Sequence, residues 1–314
     1  MPLRFPLLAT LIGAVSLSCT SQVPSALTAT PVPSTSENPI QMTQSIVTTS
    51  TQPIATTSTQ LNDIDLEVPV GMCDFITVGS IGFGNQSANQ PNSIVQIGHT
   101  DSDLPIIVEH WGTKSGPQVL VVGQVHGDEC APALLVNEFR QRPPENFGLW
   151  LIPTLNPEGH FRGTRTNGSG IDINRDGLVQ SAPETKALMT FTQLVAPDLT
   201  IYLHSPLNWI GFFNGSLAKY VGSKIVSALG MDALYTSGEN PKATAFLWQG
   251  QNEVVPGQQS ILIEMPSISA KEAPAAPNRS SASFSNIERV TIFASIVRDT
   301  LDEAMNELGQ REST

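Results

Sequence analysis

From residue 94 onward, short apolar runs alternate with stretches of helical period, and few architectures accommodate that alternation. The strand-like runs are Ile94–Ile97, Pro105–Trp111, Gln118–Val125, Gly148–Pro153, Asp198–Leu203 and Ser260–Glu264. The helix-like stretches are Ala131–Arg142, Glu184–Val195, Leu217–Leu229 and Asn286–Leu308. In the last of these, Ile287, Val290, Phe293, Val297, Leu301, Met305 and Leu308 keep one face apolar, and Ser285 with Glu288 reads as a capping box. Strands alternating with helices predict a single α/β domain with a mixed, mostly parallel sheet covered by helices on both faces.

The beginning of the chain is of another kind. Arg4 precedes an apolar run from Phe5 to Val15, and the small-residue stretch Ser16-Leu17-Ser18 leads to Cys19. That order predicts a signal peptide over 1–18. A cysteine directly after such an exit resembles the lipobox of bacterial lipoproteins, so Cys19 is the expected lipidation site, although Ser16 stands where leucine is usual. From Thr20 to Ile64, Thr, Ser, Pro and Gln supply 28 of 45 residues, with only Glu37 and Asp63 charged. So little apolar surface cannot offset chain entropy, and 19–64 is predicted to be a disordered linker. The folded domain is then expected over 65–314. The expected location is outside the cytoplasm, on a membrane through the N-terminal lipid.

Charge excludes another class. Acidic residues outnumber basic ones 28 to 16, for a net charge of −12 and no basic stripe, so nucleic acid is not an expected partner. Three cysteines cannot make a disulfide scaffold. Outside the cytoplasm Cys73 and Cys130 could pair, which depends on a Cα separation that sequence does not give.

Three apolar runs end in residues suited to metal or proton chemistry. Val119–Val125 leads into His126-Gly127-Asp128-Glu129, Leu199–Leu203 into His204, and Ile261–Ile263 into Glu264. If these strands are parallel neighbours, their ends meet on one rim of the sheet, where ligands of such sheets sit. His126 and Glu129, three apart on a turn entering a helix, can bind one ion from one side. A distant histidine completes a His2Glu set that leaves a fourth position open, the pattern of catalytic zinc. His99, His110 and His160 lack ligand spacing and are expected on the surface or in packing.

Between these runs lie Leu155-Asn156-Pro157-Glu158-Gly159, Gly163-Thr164-Arg165-Thr166-Asn167 and Gly170-Ile171-Asp172-Ile173-Asn174-Arg175. This order resembles the zinc carboxypeptidase superfamily, whose short bacterial members read NPDG, TRTN and GVDLNR at matching spacing. With Leu203-His204-Ser205-Pro206-Leu207, the resemblance is to the murein peptide amidase branch. The succinylglutamate desuccinylase and aspartoacylase group is related. The resemblance implies one zinc per chain on His126, Glu129 and His204, and Glu264 as the catalytic glutamate. It implies Arg165 at the oxyanion, and Asn174 with Arg175 on a substrate carboxylate, a task suited to arginine's planar fork. Tyr235 is the candidate for a tyrosine that relatives place before the catalytic glutamate.

The implied activity is hydrolysis of cell-wall peptides at the γ-D-glutamyl-diaminopimelate bond. The alternatives are a deacylase of N-acyl amino acids and a binding protein that has lost its chemistry. Two departures bear on specificity. Asp176 follows Arg175 where relatives carry asparagine, which sets a negative charge beside the carboxylate grip. The segment from Trp248 to Gln259 is also longer than usual.

Overall fold

The computed structural model describes residues 89–213, 215–231, 246–268 and 286–312. The expected signal peptide, Cys19 and its linker, the domain start at 65, Cys73, Tyr235 and Ser285 all lie outside these residues. The described residues belong to one compact unit.

Seven strands form one sheet: β1 (Ser93–His99), β2 (Pro105–Gly112), β3 (Gln118–Val122), β4 (Gly148–Ile152), β5 (Leu199–His204), β6 (Leu207–Phe213) and β7 (Ser260–Pro266), in the order β1-β2-β4-β3-β5-β7-β6. The central four, β4-β3-β5-β7, pair in parallel. The flanking pairings β1-β2, β2-β4 and β6-β7 are antiparallel, so only β2 and β6 run against the rest. Both sheet faces are covered, as the uninterrupted apolar runs of the central strands require.

Alternation along each strand divides the core. Val119, Val121, Leu149, Leu151, Ile201, Leu203, Ile261 and Ile263 face one side. There they meet α1 (Pro132–Gln141), α4 (Ser216–Ala228) and the long C-terminal α6 (Asn286–Glu312). Leu120, Val122, Ile152, Tyr202 and Leu262 face the other side, packing with α3 (Pro183–Val195) and α5 (Leu247–Val254). The apolar face of α6 begins at Val290. Ile287, expected on that face, is 41% exposed because it lies a turn beyond the part that reaches the sheet.

Three elements were not expected from sequence: β6, the short α2 (Pro157–Arg162), and α5, which occupies the first part of the long segment before Gln259. The strand at 118 also stops earlier than its apolar run. Gly123 to Val125 leave the sheet, with Gln124 at φ 32°, and swing His126 over the sheet edge. Among the described residues, no helix is long and apolar enough to cross a membrane.

One buried ion pair ties α1 to the outer strands. Arg140 on α1 grips Glu109 of β2 through Nε at 3.1 Å and through Nη2, and Glu109 also accepts from the Trp111 indole at 3.0 Å. Both charged side chains are buried, so removing one strands the other in a low dielectric. Arg140→Ala is expected to cost about 3–5 kcal/mol, read as a lower urea midpoint at unchanged m-value.

Candidate active site

Because β3, β5 and β7 are parallel neighbours, their carboxyl ends lie side by side. His204 closes β5 and pairs in register with Glu264 on β7. Both have the parity of Tyr202 and Leu262, so they stand on the face that carries α5. His126 and Glu129 arrive from the loop after β3.

Their donor atoms converge. His126 Nδ1 lies 2.6 Å from Glu129 Oε1, His204 Nδ1 lies 2.9 Å from Glu129 Oε2, and the two Nδ1 atoms are 3.2 Å apart. All three residues are buried, and their ligand atoms fall within 4.8 Å of one another, a group that can hold a metal ion. The donor set fits such an ion. Two ring nitrogens and a carboxylate, buried and turned toward one another, are the His2Glu donors of a catalytic zinc site, and Arg165 Nη1 lies 3.2 Å from His126 Nδ1. Burial alone would raise the Glu129 carboxyl, but the charges and hydrogen bonds of His204 and His126 bring it down to about 2.

Asp172 had no role in the sequence reading, and it ties the site together. Its Oδ1 lies 3.1 Å from His126 Nε2 and accepts from Asn174 N at 3.0 Å, while Oδ2 accepts from Arg165 Nε at 3.0 Å. A carboxylate on the far nitrogen of a metal-binding histidine fixes its tautomer and ring orientation. In the sequence it stands only as one position of the Gly170–Arg175 motif, and in the structure it opens the one-turn helix Ile173–Arg175. Burial would raise the Asp172 carboxyl, yet the hydrogen bonds from His126 and Arg165 hold it well below the usual carboxylate range.

The remaining site residues are set around this centre. Arg165 is also 3.5 Å from Glu129, and Asn174 Nδ2 lies 3.3 Å from His204 Nε2. Glu264 is buried, with one hydrogen bond at 3.4 Å from Leu207 N. Burial raises its pKa, and the nearby Glu129 charge adds to this, against the opposing pull of His204. Arg175 is exposed, its Nη1 donating to the Asn174 carbonyl at 2.9 Å. His110 packs its ring 4.3 Å from Trp150, and His99 is exposed, each away from this centre. Cys130 is disulfide-bonded, and its partner lies outside the described residues.

The remaining motif residues build the frame. Asn156 caps α2 by accepting from Gly159 N at 2.8 Å, and Pro157 fills the first helical position. The Gly127 backbone passes directly over this turn. A Cβ at Gly127 would fall 1.8 Å from the Gly159 carbonyl carbon, so the loop bearing His126 and Glu129 can seat only with glycine there. Asn167 accepts from Ser169 N and Ile171 N and donates to the buried Glu184, which shapes the loop leading to Asp172.

Comparison with known proteins agrees with this geometry. The chain is 26% identical over 197 residues to Murein peptide amidase A of Vibrio campbellii, covering 53% of this chain and 76% of that protein. It is 27% identical over 139 residues to Carboxypeptidase SOL1 of Arabidopsis thaliana, covering 35% of this chain and 28% of the relative. No family model matches. The fold is shared with the metallo-carboxypeptidase of Burkholderia cenocepacia, at TM-score 0.54 and 17% identity over 69% of this chain and 65% of that one. It is also shared with the murein-tripeptide amidase of Escherichia coli O157, at TM-score 0.51 and 18% identity over 69% of this chain and 95% of that one.

The chain thus has the fold of these metallo-carboxypeptidases and is similar in sequence to Murein peptide amidase A over 53% of its length. Within that fold Asp176 does not act as expected from its position beside Arg175. Its carboxylate is buried and accepts from Ser181 N at 2.9 Å, Ser181 Oγ at 2.6 Å and Ala182 N at 2.8 Å, so its charge is spent holding the start of α3. Although burial opposes them, these bonds depress its pKa. A depressed pKa means stability present above the unfolded-state pKa and lost as pH falls through the folded one. Asp176→Asn is therefore expected to cost about 1–3 kcal/mol at neutral pH. In urea titrations the gap to the parent should close as pH drops below the usual carboxylate range.

Proposed function

We propose that this chain is a zinc-dependent amide hydrolase of cell-wall peptides, cutting between γ-D-glutamate and diaminopimelate. The observation that carries the reading is the convergence of His126, Glu129 and His204 beside Glu264, His204's cross-strand neighbour. The likeness to Murein peptide amidase A supports the substrate class.

Zinc, when bound by His126, Glu129 and His204, supplies a Lewis acid that polarises a carbonyl and lowers the pKa of water to about 7. Glu264 takes a proton from the attacking water and later delivers it to the leaving amine. Its raised pKa suits both halves of that task, because the proton is held firmly enough to be carried and released. Arg165, held by Asp172, donates to the oxygen on which negative charge develops. Arg175 and Asn174 hold a substrate carboxylate.

Export and tethering complete the proposal. A signal peptide over 1–18, lipidation at Cys19 and the Ser/Thr/Pro/Gln-rich linker after it would keep the enzyme on a membrane outside the cytoplasm, where wall peptides are encountered. Cys19→Ser is expected to abolish fatty-acid labelling and detergent partitioning while leaving hydrolysis intact. Equal labelling of parent and variant would exclude the lipid anchor.

The decisive substrate experiment incubates the protein with a muropeptide digest and identifies products by mass. Release of diaminopimelate-containing products is expected, and turnover confined to acetyl-aspartate or succinyl-glutamate would favour the deacylase. On the cleaved peptide, Glu264→Gln is expected to lower kcat by about a hundredfold or more with substrate binding kept.

A further inference from the structure

Arg175 is held in an unusual way for an exposed arginine. Its guanidinium carbon lies 4.4 Å from the centroid of the Phe246 ring, and its Nη1 is engaged by a backbone carbonyl. No carboxylate among the described residues pairs with it, whereas Arg165 meets both Asp172 and Glu129. Nε and Nη2 are thus left without a protein acceptor among the described residues. In this same chain Arg140 uses that very pair of atoms to grip both oxygens of Glu109. Arg175 presents the same fork, unspent.

The ring that backs it is placed by the backbone. Phe246 is the N-cap of α5, its N–H donating to Gln249 Oε1 at 2.8 Å, and Leu247 N donates to Asn174 Oδ1 at 3.5 Å. The first turn of α5 lies directly on the chain that follows Arg175. A Cβ at Gly177 would fall 2.2 Å from the Phe246 carbonyl oxygen, and one at Gly250 would fall 2.0 Å from the Gly177 carbonyl oxygen. Two glycines therefore let the two backbones touch, and that contact sets the Phe246 ring against the guanidinium. A cation over an aromatic face is attracted to it, and a stacked arginine keeps its edge free for a carboxylate.

We infer that Phe246 is a positioning residue that sets this enzyme's preference for a free carboxylate, by holding the plane of Arg175 so that Nε and Nη2 grip both carboxylate oxygens. The inference rests on the reading of Arg175 as the substrate's carboxylate anchor. Without the ring, the guanidinium would sample many orientations, and only some would present the fork. The loss would fall on binding of the carboxylate, which is charged in ground and transition state alike, and would spare the chemical step.

The test uses the full-length, zinc-loaded protein and one γ-D-glutamyl-diaminopimelate peptide in two forms. In one the carboxylate next to the scissile nitrogen is free, and in the other it is an amide. The parent is expected to favour the acid through KM. Phe246→Leu should raise KM for the acid about three- to tenfold, with kcat within about twofold and the amide unaffected. Phe246→Tyr, which restores an aromatic face, should restore the preference. Comparing acid with amide in the same variant cancels any loss of folded protein. A parent that favours the acid, with a Phe246→Leu variant that keeps the same acid-to-amide ratio, would overturn the inference and leave the functional reading standing. A parent that cleaves acid and amide equally would overturn the role of Arg175 and the inference together. No turnover of either peptide would remove the functional reading itself, and the inference with it.

Discussion

The site depends on the parallel pairing of β3, β5 and β7. Parallel neighbours place all their carboxyl ends on one edge, and here that edge receives Glu264 and His204 directly and His126 and Glu129 one loop later. A shift of one residue between β5 and β7 would turn one of the two partners to the opposite face and break the cross-strand contact of His204 with Glu264. Register is secured by burial. Every residue of β5, and every residue of β7 up to Met265, is buried, with apolar side chains packed against helices on both faces. Stability of the sheet and placement of the chemistry are therefore one property.

A second constraint fixes the chain that lies over this edge. Three buried or half-buried carboxylates, Glu129, Asp172 and Glu184, each hold polar groups from distant parts of the sequence. Asp172 joins His126, Asn174 and Arg165, so the proposed metal ligand and the proposed oxyanion donor share one anchor. Glycine pairs do the steric part. Gly127 on Gly159 seats the loop bearing His126, and Gly177 on Gly250 seats α5 beside Arg175. In both pairs glycine is there for close approach of backbone to backbone.

Much of this was legible in the chain because apolar runs and their terminal residues are local features. Each predicted strand corresponds to an observed one with ends moved by a few residues, and the residues named for the site are largely brought together. What could not be read depends on distant contacts. The role of Asp172 rests on His126, 46 residues away. Strand β6, Leu-Asn-Trp-Ile-Gly-Phe-Phe, has no clean alternation, contains Gly211 and puts Asn208 at φ 55°, so neither strand nor helix period marks it. Helix α5 is only eight residues long and carries Gly250 in its middle, a weak helix former that exists because Leu247 and Trp248 are buried against the sheet. Asp176 was misread for a related reason: its neighbour in sequence is Arg175, but its partners in space are Ser181 and Ala182.

The central claim is that His126, Glu129 and His204 share one metal ion. Anomalous diffraction from crystals of the protein, collected on either side of the zinc edge, tests it most directly. The account requires a single zinc peak within about 2.3 Å of the two Nδ1 atoms and of a Glu129 oxygen, lost in crystals of His204→Ala that keep the same fold. A zinc peak elsewhere, or one that survives in His204→Ala, would contradict it.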